Sequence, residues 1–434
     1  MSDDFAARAK RLGIKFYMLG FCDLLGVVRS KLVPSSVINE APEQGTGFAG
    51  YSAHLHMSAI DPDMTGIPDL SRMQQLPWQL DTAWAPCDLY FRDSLLRQAP
   101  RTILQNVINT ASRAGYLFKT GVEPEFFLLT PDGTQIADPT DRQLKPCYDQ
   151  NVLMHQHSVL TEICEGIRAL GWEPYGIEHE DANGQYEINW GYADPLTTAD
   201  RHCFFKFMVK SVASKHGLRA TFMPKPFPEL AGNGCHVHIS VWDRDGSTNL
   251  FPGSGEYGLS DLAFHVIGGL LTQSRDMALI TNPLLNSFRR LNAETTRSGA
   301  TWSPRSVTFG NENRTHLVRI PDHDRIEYRL ADGAANPYLL QAVTIAAALN
   351  GIQSNIPAGK GLEVNMYADP VDISGTPQLP HCFLEAIELF AKSHFIKSAF
   401  GDDFHGGYLT LKKQEWESFL ESFSQWEHDN AIGV

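Results

Sequence analysis

Thr315-His316-Leu317-Val318-Arg319-Ile320 and Arg325-Ile326-Glu327-Tyr328-Arg329-Leu330, joined by Pro321-Asp322-His323-Asp324, form the stretch that decides the fold of this chain. Each run has the length and the apolar, partly β-branched content of a strand, and the link between them is a tight turn. Two strands joined this way lie antiparallel, because a parallel neighbour needs a crossover of a dozen or more residues. Glu327 and Arg329 stand two apart and so share one face of their strand.

Outward from this pair, further strands are expected at 118–129, 173–180, 186–190, 219–224 and 235–242. Helices are expected at about 151–170, 196–215, 260–280, 335–352, 379–395 and 412–428. Strands at irregular intervals, some joined by tight turns, describe an α+β layout: a largely antiparallel sheet covered by helices. Pro100 opens a clear helix with Ile103, Leu104, Val107, Ile108 and Ala111 on one face, and Gly115 stops it. Before it, 2–13 reads as a short surface helix. Residues 15–23 and 27–33 read as a hairpin turning at Gly26, and 34–93 as short strands and loops. The expected division is a small β-rich domain at 1–98 and a larger domain at 99–434.

Bulk properties exclude several function classes. The chain has 434 residues, 43% hydrophobic and 20% charged, which is ordinary for a globular protein. No apolar run approaches the ~20 residues needed to span a bilayer. The acidic start, Met1-Ser2-Asp3-Asp4, resembles neither a signal nor a transit sequence. The seven cysteines are scattered without a C-x-x-C pair, so reduced thiols and a cytoplasmic location are expected. A net charge of −14 argues against nucleic-acid partners. It does not argue against ATP, since local arginines and bound cations can reverse the field within one cleft.

Several expected strands carry ionisable residues two apart, among them Glu123-Pro124-Glu125, His236-Val237-His238 and Glu327-Tyr328-Arg329. Glu180 and Glu187 bracket Asp181-Ala182-Asn183-Gly184-Gln185, so these acids can meet across a loop between two strands. A buried carboxylate without a partner costs several kcal/mol, and such groups neutralise or bind a cation. Oxygen ligands with one imidazole favour Mg²⁺ or Mn²⁺ over Zn²⁺. Downstream, Arg290, Arg314, Arg319 and Arg329 supply guanidinium forks suited to phosphate and carboxylate oxygens. Acids for metal and arginines for anions together describe phosphoryl transfer, without a Walker loop or a kinase signature. Taken singly, each feature has a plainer reading: E-x-E as a solvated face, H-x-H as a structural pair, E-x-R as a surface ion pair worth ~0–1 kcal/mol. Their co-occurrence favours a metal–phosphate enzyme and leaves its substrate open.

The motifs Gly121-Val122-Glu123-Pro124-Glu125-Phe126-Phe127, His179-Glu180 with Gly184-Gln185-Tyr186-Glu187, Met223-Pro224-Lys225-Pro226 and Gly234-Cys235-His236-Val237-His238-Ile239-Ser240 resemble those of the glutamine synthetase family. So do Asn313-Arg314, Val318-Arg319-Ile320-Pro321, Arg325-Ile326-Glu327-Tyr328-Arg329 and Ala335-Asn336-Pro337-Tyr338-Leu339, in the family order. The resemblance implies an N-terminal β-grasp domain and a larger catalytic domain. It also implies rings of subunits, two hexamers making a dodecamer, with active sites between neighbours. Glu125, Glu180 and Glu187 would hold one metal ion; Glu123, His236 and Glu327 would hold a second. Arg314 and Arg319 would face the ATP phosphates, His238 and Ser240 would lie near the nucleotide, and Gly232, Arg290 and Arg329 would bind glutamate. Arg314, Glu327 and Arg329 would be the catalytic groups. The implied reaction activates the glutamate side-chain carboxylate as γ-glutamyl phosphate, which an amine then attacks.

Two departures from the family pattern concern that amine. Where the family carries an acid in the N-terminal domain, this chain reads Gly47-Phe48-Ala49-Gly50-Tyr51-Ser52; where the family's flap carries a glutamate, it reads Trp302-Ser303-Pro304. Glu294, in the same long loop, is an alternative flap acid. Losing both acids weakens capture of ammonium, and Ala49, Gly50 and Trp302 would instead make an apolar amine pocket. The resemblance is to the type III-like branch that includes γ-glutamylmethylamide synthetases, so methylamine is the expected amine, with ammonia or another small amine as the alternative. A relative that only binds nucleotide or amino acid is a third reading, opposed by the presence of all six acid and imidazole ligands and all four arginines. Tyr367 resembles a tyrosine that some relatives adenylylate, but its flanks fit poorly and a surface or packing role is expected.

Overall fold

The structure, a computed structural model, describes residues 2–367 and 375–434. The expected hairpin forms from Phe16–Cys22 (β1) and Val28–Pro34 (β2). Its turn is held by Asp23, whose Oδ1 accepts from the amides of Leu25 and Val27 at 3.0 Å each. Thr46–Phe48 (β3), Met64–Pro68 (β4), Gln74–Leu76 (β5), Gln79–Phe91 (β6) and Ser94–Leu95 (β7) complete a seven-stranded, β-grasp-like sheet of order β2-β1-β6-β4-β3, with β5 and β7 also on β6. Tyr17, Leu19, Ala83 and Ala85 pack under Ile38 of the Ser35–Glu40 helix and form a small core separate from the main one.

The helix after Pro100 runs Pro100–Arg113 as expected. The run at 118–129, expected as one strand, is two: Leu117–Pro124 (β8) and Phe126–Leu129 (β9), which belong to different sheets. Pro174–His179 (β10), Gln185–Trp190 (β11) and Arg219–Thr221 (β12) join β9 in a four-stranded antiparallel sheet of order β10-β11-β9-β12. Cys235–Trp242 (β13), Phe309–Asn311 (β14), Val318–Ile320 (β15) and Ile326–Tyr328 (β16) join β8 in a five-stranded sheet of order β14-β15-β16-β13-β8. The pair that opened the sequence reading is therefore antiparallel, with Val318 opposite Tyr328 and Arg319 opposite Glu327.

Behind these sheets, the helices Asp261–Thr281 and Pro337–Gln353 cross at glycine contacts. A Cβ on Gly269 would lie 2.2 Å from the Ala347 carbonyl, and one on Gly351 would lie 2.1 Å from that of His265, so only glycine permits this approach. Three expected helices have other bounds. The 151–170 run breaks at Gln156, and 379–395 becomes Phe383–Lys392 and His394–Phe400, the latter capped by Ser393 Oγ on the Ile396 amide. The last long helix is Asp402–Leu420, entered through Gly401 at φ +86°, and is followed by Gln425–Ala431. Among the described residues, no helix is long and apolar enough to cross a membrane. Arg101 bolts the N-terminal sheet to the rest: it reaches Asp69 at 2.8 Å, Asp88, and buried Asp200 at 3.4 Å.

Candidate active site

The break between β8 and β9 puts Glu125 at the junction of two sheets, each of which carries its own acid cluster. In the five-stranded sheet, His236 stands opposite Glu123, and His238 opposite Glu327. His236 Nδ1 lies 3.3 Å from Glu123 Oε2 and 3.5 Å from Glu327 Oε1, while His238 Nε2 lies 2.8 Å from Glu123 Oε1. In the four-stranded sheet, Glu178 stands opposite Glu187, and Glu180 follows β10 in the turn to β11. Ligand atoms of Glu178, Glu180 and Glu187 all lie within 4.8 Å of one another, as do those of Glu123, His236 and Glu327. Glu125 spans the gap. Its Oε2 accepts from Gly234 N at 2.7 Å and Gln185 Nε2 at 2.9 Å, and its Oε1 lies 4.0 Å from His236 Nε2.

The two clusters differ in electrostatics. Against the cost of burial, the two imidazoles hold Glu123 well below the usual carboxylate range, and Arg329 and His236 hold Glu327 down to about 2. Arg319 donates to Glu327 Oε2 at 2.8 Å, and Arg329 donates to Oε1. The pair read in sequence as a possible surface ion pair is thus buried, Glu327 and Arg329 being 1% and 3% exposed. In the other cluster burial dominates and the neighbours are acids. Burial and Glu125 hold Glu180 well above the usual range, burial and Glu123 do so for Glu187, and Glu178 is raised by burial and Glu123. Carboxylates so placed call for a cation.

Two further features fit a divalent ion here. His236 Nε2 is buried with no hydrogen-bond partner among the described residues. The space beside it is kept open by Gly234, where a Cβ would lie 2.9 Å from both that nitrogen and Glu125 Oε1, and 3.0 Å from Arg290. Mostly oxygen donors with one imidazole suit Mg²⁺ or Mn²⁺.

The remaining expected residues fall around this centre, with exceptions. Arg290 is buried and donates to the Leu330 carbonyl at 3.1 Å. Gly232 backs onto it, since a Cβ there would meet the Pro224 carbonyl at 2.2 Å and the Arg290 side chain at 3.1 Å. Arg325, unassigned in sequence, donates to His238 Nδ1 at 3.1 Å. Ser240 continues the His236–His238 face of β13 and accepts from Trp242 Nε1 at 2.9 Å. Arg314 is exposed in the loop between β14 and β15, near enough to act on the Glu178 charge. Glu294 is exposed in its loop.

The three amine-pocket residues lie in separate surroundings within one chain. Gly50 closes on Met57, and Ala49 is exposed just after β3 in the N-terminal sheet. Trp302, at φ +52°, packs against the Phe127, Leu129, Ala182, Leu230 and Ala231 cluster and donates Nε1 to Asp181, the residue after Glu180. Tyr367 is half-buried, its hydroxyl enclosed beside Thr301 in the field of Arg329 and Arg290, an arrangement compatible with the packing role expected of it. Sequence reasoning also missed Glu178, although Glu178-x-Glu180 has the same period-two spacing as the pairs it singled out.

A family model for the glutamine synthetase catalytic domain matches residues 97–431. The chain is 47% identical to the glutamine synthetase of Rhizobium meliloti (strain 1021) over 435 residues, the full length of both. It is 36% identical to the glutamate–methylamine ligase of Methyloversatilis universalis over 432 residues, 96% of each chain. Among solved structures, a GmaS/ADP complex superposes with a TM-score of 0.95 at 47% identity, covering 99% of this chain and all of that one. The chain belongs to the glutamine synthetase family. As a member it is an ATP-dependent glutamate–amine ligase of a family that works with divalent metal. The glutamine synthetase motifs of the sequence thus lie on strands β8 to β16, on the loops that join them and, for Ala335–Leu339, at the start of the Pro337–Gln353 helix.

Proposed function

We propose that this chain ligates methylamine to the γ-carboxylate of glutamate through γ-glutamyl phosphate. The observation that carries the choice of amine is Trp302: an indole in an apolar cluster, tied through Nε1 to Asp181 beside Glu180, where the family pattern has an acid. The likeness to solved GmaS structures supports the same reading.

The side chains divide the work. Glu123, His236 and Glu327 hold one divalent ion, and Glu125, Glu180 and Glu187, with Glu178 at the edge, hold another. When bound, such ions neutralise phosphate oxygens and lower the barrier to transfer of the γ-phosphate. Arg314 and Arg319 receive the phosphates, and Arg319 is oriented by its 2.8 Å bond to Glu327. His238 and Ser240 line the nucleotide side. Arg290 and Arg329 bind the glutamate carboxylates beside Gly232, where the missing Cβ lets the Pro224 carbonyl and the Arg290 side chain close on the backbone. Guanidinium groups aimed at oxygens that gain charge stabilise both the transferring phosphate and the acyl phosphate. The amine attacks the γ-carbonyl carbon as the neutral base, phosphate leaves, and the surplus proton passes to an acceptor at the pocket. Ala49 and Gly50 reach the site from a neighbouring subunit in a ring.

The second reading is a glutamine synthetase using ammonia, favoured by identity of 47–48% to two Rhizobium glutamine synthetases against 36% to the named methylamine ligase. Measuring kcat/KM for methylamine and ammonium with glutamate and Mg-ATP decides between them. Methylamine ahead of ammonium supports the proposal; equal or better kcat/KM for ammonium removes it. Ethanolamine and polyamines belong in the same assay.

A further inference from the structure

Away from the acid clusters, a cavity of about 740 Å³ opens between the β1–β2 turn, the Pro195–Lys215 helix, β12 and the Asp402–Leu420 helix. Its walls carry Lys206, Lys210 and Arg219. Lys206 and Lys210 are one helical turn apart, an arrangement that like charges disfavour. Lys206 is half-buried and Lys210 exposed at the rim; the pKa of each is lowered, first by the loss of solvent around it, and that of Lys210 also by Lys206. Both lie over the Phe222 ring, at 5.3 and 5.9 Å.

None of the three cations has a carboxylate partner among the described residues. Lys206 donates to the Gly333 carbonyl at 2.8 Å, and Arg219 reaches the Asp132 carbonyl at 3.5 Å. The one acid in the lining, Glu415, is bound to Lys412 at 2.9 Å. In a protein of net charge −14, three unneutralised cations around one cavity are a local inversion of the field. Phe222, Val27, Leu284 and Leu411 give the same cavity apolar surface.

The cavity is also wired to the acid clusters. Thr221 and Met223 of its wall accept through their carbonyls from Asn233 Nδ2, at 3.2 and 2.9 Å. Gly333, which Lys206 holds, donates its amide to the Asn233 carbonyl at 3.2 Å. Asn233 Oδ1 in turn accepts from Gln185 Nε2 at 2.9 Å, and that same nitrogen donates to Glu125 Oε2 at 2.9 Å. Both walls therefore converge on one asparagine that positions a bridging carboxylate.

We propose that this cavity is an effector site for a small organic anion with two or more negative charges on a partly apolar frame, and that its occupancy shifts Glu125 through Asn233 and Gln185. The anion replaces the missing counter-charge of Lys206, Lys210 and Arg219 and draws β12 toward the Pro195–Lys215 helix. Binding at the cavity is independent of the ligase assignment, while the coupling to Glu125 rests on the proposed metal site.

The full chain is titrated calorimetrically with tricarballylate and, separately, with inorganic pyrophosphate, in parallel with the double variant Lys210→Gln, Arg219→Gln. Both residues lie outside the proposed catalytic groups, so basal ligase activity and ADP binding are the folding controls. The expected result is saturable binding that weakens at least about tenfold in the double variant. Tricarballylate binding, alone or beside pyrophosphate, supports an organic polyanion site; binding of pyrophosphate alone, which has no apolar frame, overturns the organic-anion proposal. Absence of saturable binding by either probe, or binding that survives the double substitution, overturns the site. Mn²⁺ affinity measured with and without the saturating probe tests the coupling. A shift in the parent chain that is absent from the double variant supports it, and an unshifted Mn²⁺ affinity overturns the coupling alone. No Mn²⁺ binding at all strikes instead at the metal site itself.

Discussion

Glu178 and Glu187 face one another directly across the β10–β11 pair, and Asn189 Nδ2 bridges them, donating to Glu187 at 2.9 Å and to Glu178 at 3.3 Å. An amide between two carboxylates holds them together but leaves both charges uncompensated. The relationship makes sense if a cation completes it. Glu178→Gln should weaken one of two classes of Mn²⁺ site about tenfold, ~1.4 kcal/mol, and leave the other unchanged. It should raise the melting temperature of the metal-free chain, because one of three crowded carboxylates is gone. Unchanged Mn²⁺ titrations in the variant would remove Glu178 from the site.

The two clusters predict opposite pH trends for the metal-free protein. Glu180 and Glu187 have folded pKa values above the unfolded value of about 4.3, so the fold favours their neutral form. Their contribution is favourable at low pH and is lost as pH rises from about 4.3 through the raised values. Glu327, down to about 2, and Glu123, also lowered, act in reverse: their stabilisation is present above about 4.3 and lost as pH falls toward about 2. Melting curves of the chelated protein should therefore decline toward neutral pH, and saturating Mn²⁺ should abolish that decline. At a hundredfold excess over Kd the ion should add about 2.7 kcal/mol. A chelated protein equally stable from weakly acid to neutral pH, and indifferent to Mn²⁺, would contradict this account.

Glu327 pairs with two guanidinium groups at once, those of Arg319 and Arg329. Glu327→Ala leaves buried cations unpaired and should cost about 3–5 kcal/mol of stability, together with phosphate release from ATP. Glu327→Gln keeps the shape and should retain more stability while still losing activity. ATP turnover that persists in a folded Glu327→Gln protein would falsify the assignment of this residue to the reacting centre.

Trp302→Ala removes the indole from the Phe127 cluster and its bond to Asp181. Apolar pockets discriminate by ~1–3 kcal/mol, so the ratio of kcat/KM for methylamine over ammonium should fall by at least about fivefold. Asp181→Asn should produce part of the same change, since it weakens the hydrogen bond while leaving the indole in place. An unchanged ratio in Trp302→Ala means the indole only packs the loop.

Tyr367 offers a buried hydroxyl in the field of Arg329, with no well-formed hydrogen bond among the described residues and only Thr301 close to it. Such a group costs stability unless a ligand uses it. Tyr367→Phe should raise the KM for glutamate several-fold and leave the melting temperature unchanged or higher. If glutamate KM holds and only stability moves, the hydroxyl serves the fold alone.

Much of this protein was legible in one dimension because strand geometry has a period of two. His236 and His238, and Glu327 and Arg329, are each two residues apart, and alternation by itself assigns each pair to one face; Glu123 and Glu125 have the same spacing, but Glu125 lies past the end of β8. The tight turn at Asp322-His323-Asp324 likewise determined that β15 and β16 run antiparallel. Other relationships depend on where separate strands come to rest. The run at 118–129 looks continuous, yet its two halves enter different sheets, and only that divergence sets Glu125 between the acid clusters. Glu178 gained its meaning from register, since a shift of one residue would turn it away from Glu187. Trp302 and Asp181 are likewise far apart in sequence, and their encounter is set by long-range packing. Local covalent spacing determined the ligand pairs; burial and register across distant strands decided which pairs share a charge.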